Sequence, residues 1–191
     1  MMMMRKLFLL LVLVTTCNLS AQMKMRDVFK QMPDSLVPYL DANNRLDFID
    51  FIDSGMLSEV TNSLGGKSVM QKLTDDALQI QLTESSSLSM RLLDVSEQVD
   101  SVNQIVCFVR TYGSDLRESQ IAFYSVKWRQ LPTEQYMTIP DGTWTATLKE
   151  DEPTLILTPD CKLEAPANEE QEVITKPSII LKWKDGFVKQ D

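Results

Sequence analysis

Leu78-Gln79-Ile80-Gln81-Leu82 and Leu88-Ser89-Met90-Arg91-Leu92 alternate apolar and polar side chains without a break. A period of two puts the apolar set on one face of a strand and the polar set on the other. Residues 83–87 connect the two runs as a hairpin. Upstream, residues 59–63 and 67–73 pair around Gly65-Gly66, a turn dipeptide with free access to positive φ. Downstream, residues 104–112 and 120–128 are apolar on both faces, which places them centrally in a sheet. Trp144, Ala146 and Leu148 alternate with threonines, Leu155-Ile156-Leu157 follows, and residues 179–183 form a last strand. Asp185-Gly186 turns that strand into a short hairpin with Phe187 and Val188.

Helical spacing is confined to the N-terminal side. Met25, Val28, Phe29 and Met32 fall on one helix face, and Pro33 stops it. Asp34 and Ser35 cap a short turn through Leu36, Val37 and Leu40. Asn44 with Asp47 resembles a capping pair for a third helix through Leu46, Phe48, Ile49, Phe51 and Ile52, ended by Gly55. Helices first and many short strands afterwards give an α+β class. The expected architecture is short N-terminal helices packed on a long antiparallel β-meander, as a curved sheet, a barrel or a sandwich. Residues 164–172 are acidic, carry Pro166 and read as an exposed loop.

Residues 1–21 have the three-part layout of a secretory leader: Arg5 and Lys6, an apolar run over 7–14, then a polar stretch ending at Ala21. The apolar run is too short to span a bilayer, which takes about 20 residues. Cleavage after Ala21 is favoured over lipidation at Cys17, because Thr16 fits lipoprotein processing poorly. The expected organisation is a signal peptide over 1–21 and a single α+β domain over 22–191, periplasmic or secreted. No later apolar run reaches membrane length, so no transmembrane segment is expected in the mature chain. Losing Arg5 and Lys6 with the leader takes 19 basic residues to 17 against 27 acidic ones, a net charge of −10. Such a chain repels nucleic acid.

The chain contains no histidine. Ser-His-Asp and Cys-His catalysis need an imidazole, and typical zinc sites use histidine or several cysteines, so these chemistries are disfavoured. Cys107, in an apolar strand, and Cys161, after a turn, are expected as free structural thiols; a Cys-x-x-Cys redox pair is absent. Gly65-Gly66-Lys67-Ser68 has the tail of a phosphate-binding loop, but Thr61 stands where its first glycine belongs and strand follows, so a turn is expected. Gly113-Ser114-Asp115-Leu116 reads as a loop between strands, because a serine there lacks an ordinary base.

Asp47, Asp50 and Asp53 recur every three residues. They form either a carboxylate cluster for calcium or acid–base work, or the solvated side of an apolar helix, which is the commoner outcome. Asp53 near the helix C-terminus needs a cation to offset the dipole, with Arg45 the candidate. Trp128, Trp144 and Trp183 all fall in strand patterns and read as core; sugar stacking stays open for one at a sheet edge.

Met32-Pro33-Asp34-Ser35-Leu36-Val37-Pro38-Tyr39-Leu40 followed by Asn44-Arg45-Leu46-Asp47 carries a resemblance, together with Asn62, Gly65-Gly66-Lys67, Leu73-Thr74-Asp75-Asp76 and Ala122-Phe123-Tyr124 leading to Trp128. These stretches resemble an uncharacterised family of secreted Bacteroidetes proteins, a domain of unknown function. The resemblance implies a periplasmic or surface location and no activity, so no functional residues transfer.

The expected function is therefore an exported, non-catalytic module that binds a protein or envelope component, with no cofactor, no metal and no catalytic residues assigned. An edge strand or a concave sheet face would be its contact surface. One alternative is a histidine-free hydrolase of glycan or peptide using Asp47, Asp50, Glu59 and Asp75, two of which must face one cleft about 5–10 Å apart. Another is a small-molecule or lipid carrier with a cavity in the curved sheet.

Overall fold

The structure, a computed structural model, describes residues 22–159 and 177–190. The expected leader, its cleavage site, Cys17, Cys161 and the acidic loop over 164–172 lie outside the described residues.

The helical part comes first. Helix α1 is Met25–Lys30, a 3-10 turn covers Asp34–Leu36, and α2 is Ala42–Asp53. Helix α2 begins earlier than the Asn44–Asp47 spacing predicts. Asp41 is its N-cap, and the Asp41 carboxylate accepts the Asn44 N–H at 2.9 Å. Both Asp41 and Asn44 are good caps, so which one acts was not fixed by residue type.

Seven strands then run as an antiparallel meander: β1 Glu59–Thr61, β2 Lys67–Leu73, β3 Ala77–Thr83, β4 Ser86–Val99, β5 Val102–Tyr112, β6 Glu118–Ser125 and β7 Gln130–Leu131. A 3-10 turn over Thr133–Gln135 follows. A second meander holds β8 Trp144–Leu148, β9 Thr154–Pro159, β10 Ile179–Trp183 and β11 Phe187–Lys189. Of the curved sheet, barrel and sandwich left open by the sequence, the strands form two antiparallel sheets with a shared core between them. Pro132 blocks continuation of the edge strand β7, and the chain crosses through residues 132–143 to a second layer.

The alternation in β4, β5 and β6 explains the layering. Met90, Val106 and Phe108 face the helices and join Phe29 and Phe48 in one core. Leu93, Cys107 and Phe123 face the opposite way and join Trp144, Leu155 and Leu157 in a second core. The large sheet is therefore buried on two faces, which is why residues 104–112 read as apolar throughout. Beside the small sheet, the large sheet's second face carries the half-buried Gln79, Gln81 and Ser89, the polar partners in the opening alternation, in a groove along β8.

Three local expectations are corrected. Strand β6 ends at Ser125 and not at Trp128. Trp128 stands in a turn at φ +67, and its indole N–H donates to the Val28 carbonyl at 2.9 Å, pinning α1 to the sheet. Strand β4 runs to Val99, past the hydrophobic period, with its register shifting between Asp94 and Val99. The cation beside Asp53 is Arg26 of α1, at 2.9 Å. Arg45 is buried and bonds instead to Asp34 and the Leu40 carbonyl, each at 2.8 Å.

The Gly113 loop is a loop, as read. Gly113 has φ +103, and a Cβ there would stand 1.8 Å from the Leu116 carbonyl oxygen. The glycine is fixed by a turn and not by chemistry.

Candidate functional site: a cleft at the hairpin end

The β4–β5 hairpin closes through Asp100 and Ser101, at φ 53 and 70, with Val99 opposite Val102. Two positive φ values in a two-residue turn match the twist of the flanking strands. Below this turn β4 leaves the regular ladder, and Asn103 fills the gap by donating to the Val95 and Ser96 carbonyls at 3.1 and 3.2 Å.

Two acidic residues fasten the hairpin to its neighbours. The Asp185 carboxylate, from the β10–β11 turn, accepts the Ser96 N–H at 2.7 Å and also the Ser96 hydroxyl. The Asp100 carboxylate accepts from Arg129 at 2.9 Å and from the Ser125 hydroxyl. Both carboxyls are held below the usual carboxylate range, Asp185 by the bonds from Ser96 and Asp100 by Ser125 first and Arg129 next.

Between these ties lies an open cleft of about 510 Å³. Glu97, Gln98, Arg129 and Gln135 supply its polar lining, and Val99, Leu131, Pro132 and Tyr136 its apolar lining. Tyr136 is 5% exposed, and burial raises its phenol pKa. Its ring packs on Phe123 at 5.0 Å and stacks on Trp183 at 6.0 Å. The Trp183 indole donates to the Asp94 carbonyl at 2.7 Å, so the floor is fixed from both sheets.

This arrangement suits binding better than covalent catalysis. Ser96 is bonded to Asp185, a carboxyl of lowered pKa and hence a feeble base for a hydroxyl proton. The cleft offers guanidinium and amide donors, a carboxylate acceptor and a rigid aromatic floor, the mixture that holds a polar ligand or a peptide in one orientation.

The residues singled out from sequence fall elsewhere. Asp47 and Asp50 stand exposed on α2, while Asp53 is tied to Arg26. Glu59 pairs with Lys67 at 2.7 Å and Asp75 with Lys24 at 3.2 Å. None of the four proposed hydrolase carboxylates lines the cleft. Among the described residues no three of His, Cys, Asp or Glu come together to hold a metal ion. Cys107 is buried on β5, and among the described residues it has no disulfide partner. Trp144 is core on the edge strand β8, with its indole N–H on the Pro140 carbonyl at 3.0 Å.

Sequence reasoning passed over Glu97, Asp100, Arg129 and Tyr136. One signal was available: Asp185-Gly186 was legible as a turn, and an aspartate in a turn next to a strand end is placed to accept a backbone N–H.

The profile of a family described as "Protein of unknown function (DUF3256)" matches residues 16–157. The match ends within β9, so Trp183 and Asp185 lie beyond it. No curated protein matches the chain. Among solved structures, a domain of an uncharacterized protein from Porphyromonas gingivalis W83 is similar, with a TM-score of 0.73 and 20% identity over 89% of this chain and 99% of that one. At that identity the likeness concerns the fold.

Proposed function

The chain belongs to the DUF3256 family, whose function is unknown, and from the geometry of its cleft we propose that it is an exported, non-catalytic binding module. The observation that carries this reading is the cleft itself. Three separate segments meet there, and side-chain hydrogen bonds hold each in place before any ligand arrives. Preorganisation of that kind lowers the ordering cost of binding.

Export is supported by the three-part leader pattern over residues 1–21. No helix among the described residues is long and apolar enough to cross a membrane. The expected partner is a protein or an envelope component. The missing histidine and the dispersed carboxylates Asp47, Asp50, Glu59 and Asp75 give the hydrolase alternative no comparable support.

The test is capture from the envelope fraction with the chain from Gln22 onward as bait. A double variant, Glu97→Arg with Gln135→Arg, fills the cleft with charge and leaves the Ser96–Asp185 and Asp100–Arg129 ties intact. One stoichiometric partner held by the native bait and lost with the folded variant supports the reading. Equal recovery by both baits, or none by either, overturns it.

A further inference from the structure

The two edges of the large sheet are finished differently. At β1 the side-chain amide of Asn44, from α2, donates to the Thr61 carbonyl at 3.3 Å. At the other edge β7 pairs only with Phe123 and Tyr124 of β6. The Ser125 N–H donates to Arg129 on that outer side. Alternation then turns the backbone N–H and C=O of Ser119 and Ile121 outward too. No described residue pairs with these backbone groups.

Beneath this edge the space between the two sheets opens as a cleft of about 480 Å³. Ile121, Trp144 and Leu157 form its inner wall and Ile139 its rim, while Tyr112, its ring 4.9 Å from the Arg110 guanidinium, bounds it on the helix side of the edge. Tyr112 and Ile139 are 40% and 47% exposed. The Ser119 hydroxyl accepts the Ala146 N–H at 2.8 Å, which fixes β8 under the β6 edge. A strand edge that no described residue pairs, beside an apolar mouth, is a template for strand addition.

We propose that this edge receives an extended segment of a partner protein as an added strand. Its backbone bonds to Ser119 and Ile121, and one large apolar side chain enters the mouth onto Ile121, Trp144 and Leu157, continuing the core between the sheets. The charge around the mouth selects the partner's flanks. Glu118 lines it and exposed Asp141 precedes Gly142 in its wall, while Arg117 lines the polar groove on the other side of β8 with Gln79 and Ser89. The segment is therefore apolar at alternate positions and basic at its ends. This surface is separate from the hairpin-end cleft and does not depend on it.

The probe is a nine-residue synthetic peptide alternating valine and threonine, with isoleucine at the centre and lysine at both ends. Its fully N-methylated form, which has no N–H to donate and whose methyl groups hold its backbone away from a strand edge, is the control. Amide exchange at Ser119 and Ile121 is followed in the chain from Gln22 onward. The proposal expects exchange at both amides to slow at least tenfold with saturating peptide and to stay unchanged with the methylated form. Ile139→Arg, at an exposed rim position, weakens binding at least tenfold. Unchanged exchange with the peptide overturns the proposal. So does slowing that tracks chain concentration alone, which makes a second copy the occupant. Protection in the free chain that disappears when residues 160–176 are replaced by a short glycine–serine linker makes the chain its own occupant and equally overturns it. Loss of the envelope partner with the double cleft variant bears only on the other site.

Discussion

Asn62 uses every polar group it has. Its amide donates to the Ser68 hydroxyl at 2.9 Å and the Leu82 carbonyl at 3.2 Å, and its oxygen accepts from the Leu64 and Gly66 N–H groups at 3.0 and 3.2 Å. One buried side chain thus shapes the β1–β2 turn and ties it to β3. Asn62→Ala leaves the Leu82 carbonyl and two turn N–H groups without this partner, and costs about 1–3 kcal/mol in urea unfolding. A loss below the measurement error would show the turn to be held by its glycines alone. Cys107 sits at the opposite extreme, fully buried with burial pushing its thiol pKa up. In a Cys161→Ser variant, Cys107 should resist a thiol reagent at pH 8 in the native state and react fully in urea. Rapid native labelling would contradict its place in the core. The sequence made Cys107 legible because its neighbours are apolar; nothing local showed that Asn62 would be buried.

At the level of elements, strand period was the strongest signal and charge pairing the weakest. The opening hairpin, the Gly65-Gly66 turn and the Asp185-Gly186 turn all appear where the pattern put them. Patterning could not locate the end of β4, since Ser96, Glu97 and Gln98 continue the strand with no apolar alternation. Nor could it find the cation for Asp53, because Arg26 lies on another helix and meets it only after packing. That pair has a measurable consequence. The Arg26 hydrogen bond lowers the Asp53 pKa, so its stabilisation is complete above the unfolded carboxylate value and is lost as pH falls through the folded one. Asp100 and Asp185 follow the same sign. The urea midpoint should therefore decline below about pH 4, and Asp53→Asn should make that decline shallower. An acid limb unchanged by the substitution would remove the pair from the account.

The whole molecule depends on two sheets staying in contact, and Arg91 spans them. It belongs to the polar set of the opening alternation, yet the small sheet covers it to 5% exposure. Its guanidinium donates to Asp76 at 2.6 Å and to the Lys149 and Glu150 carbonyls at 2.8 and 3.1 Å. The period correctly gave the face on which Arg91 lies; only the second sheet, which begins after Pro132, decides that this part of the face is buried. Arg91→Met keeps much of the volume but abandons three acceptors, and should cost about 2–4 kcal/mol in urea unfolding. A neutral outcome would mean that the second core alone holds the layers together. The layers in turn hold Ser96 against Asp185 and Trp183 against Asp94, so the hairpin-end cleft is a product of their contact.

Binding at that cleft is tested most directly by a photo-crosslinking residue at Gln135 in cells that make the protein, with the same residue at exposed Glu84, on the β3–β4 turn, as the control. One discrete adduct with an envelope component is expected from position 135 and none from position 84. Equal labelling from both positions, or no adduct from position 135, would contradict binding there.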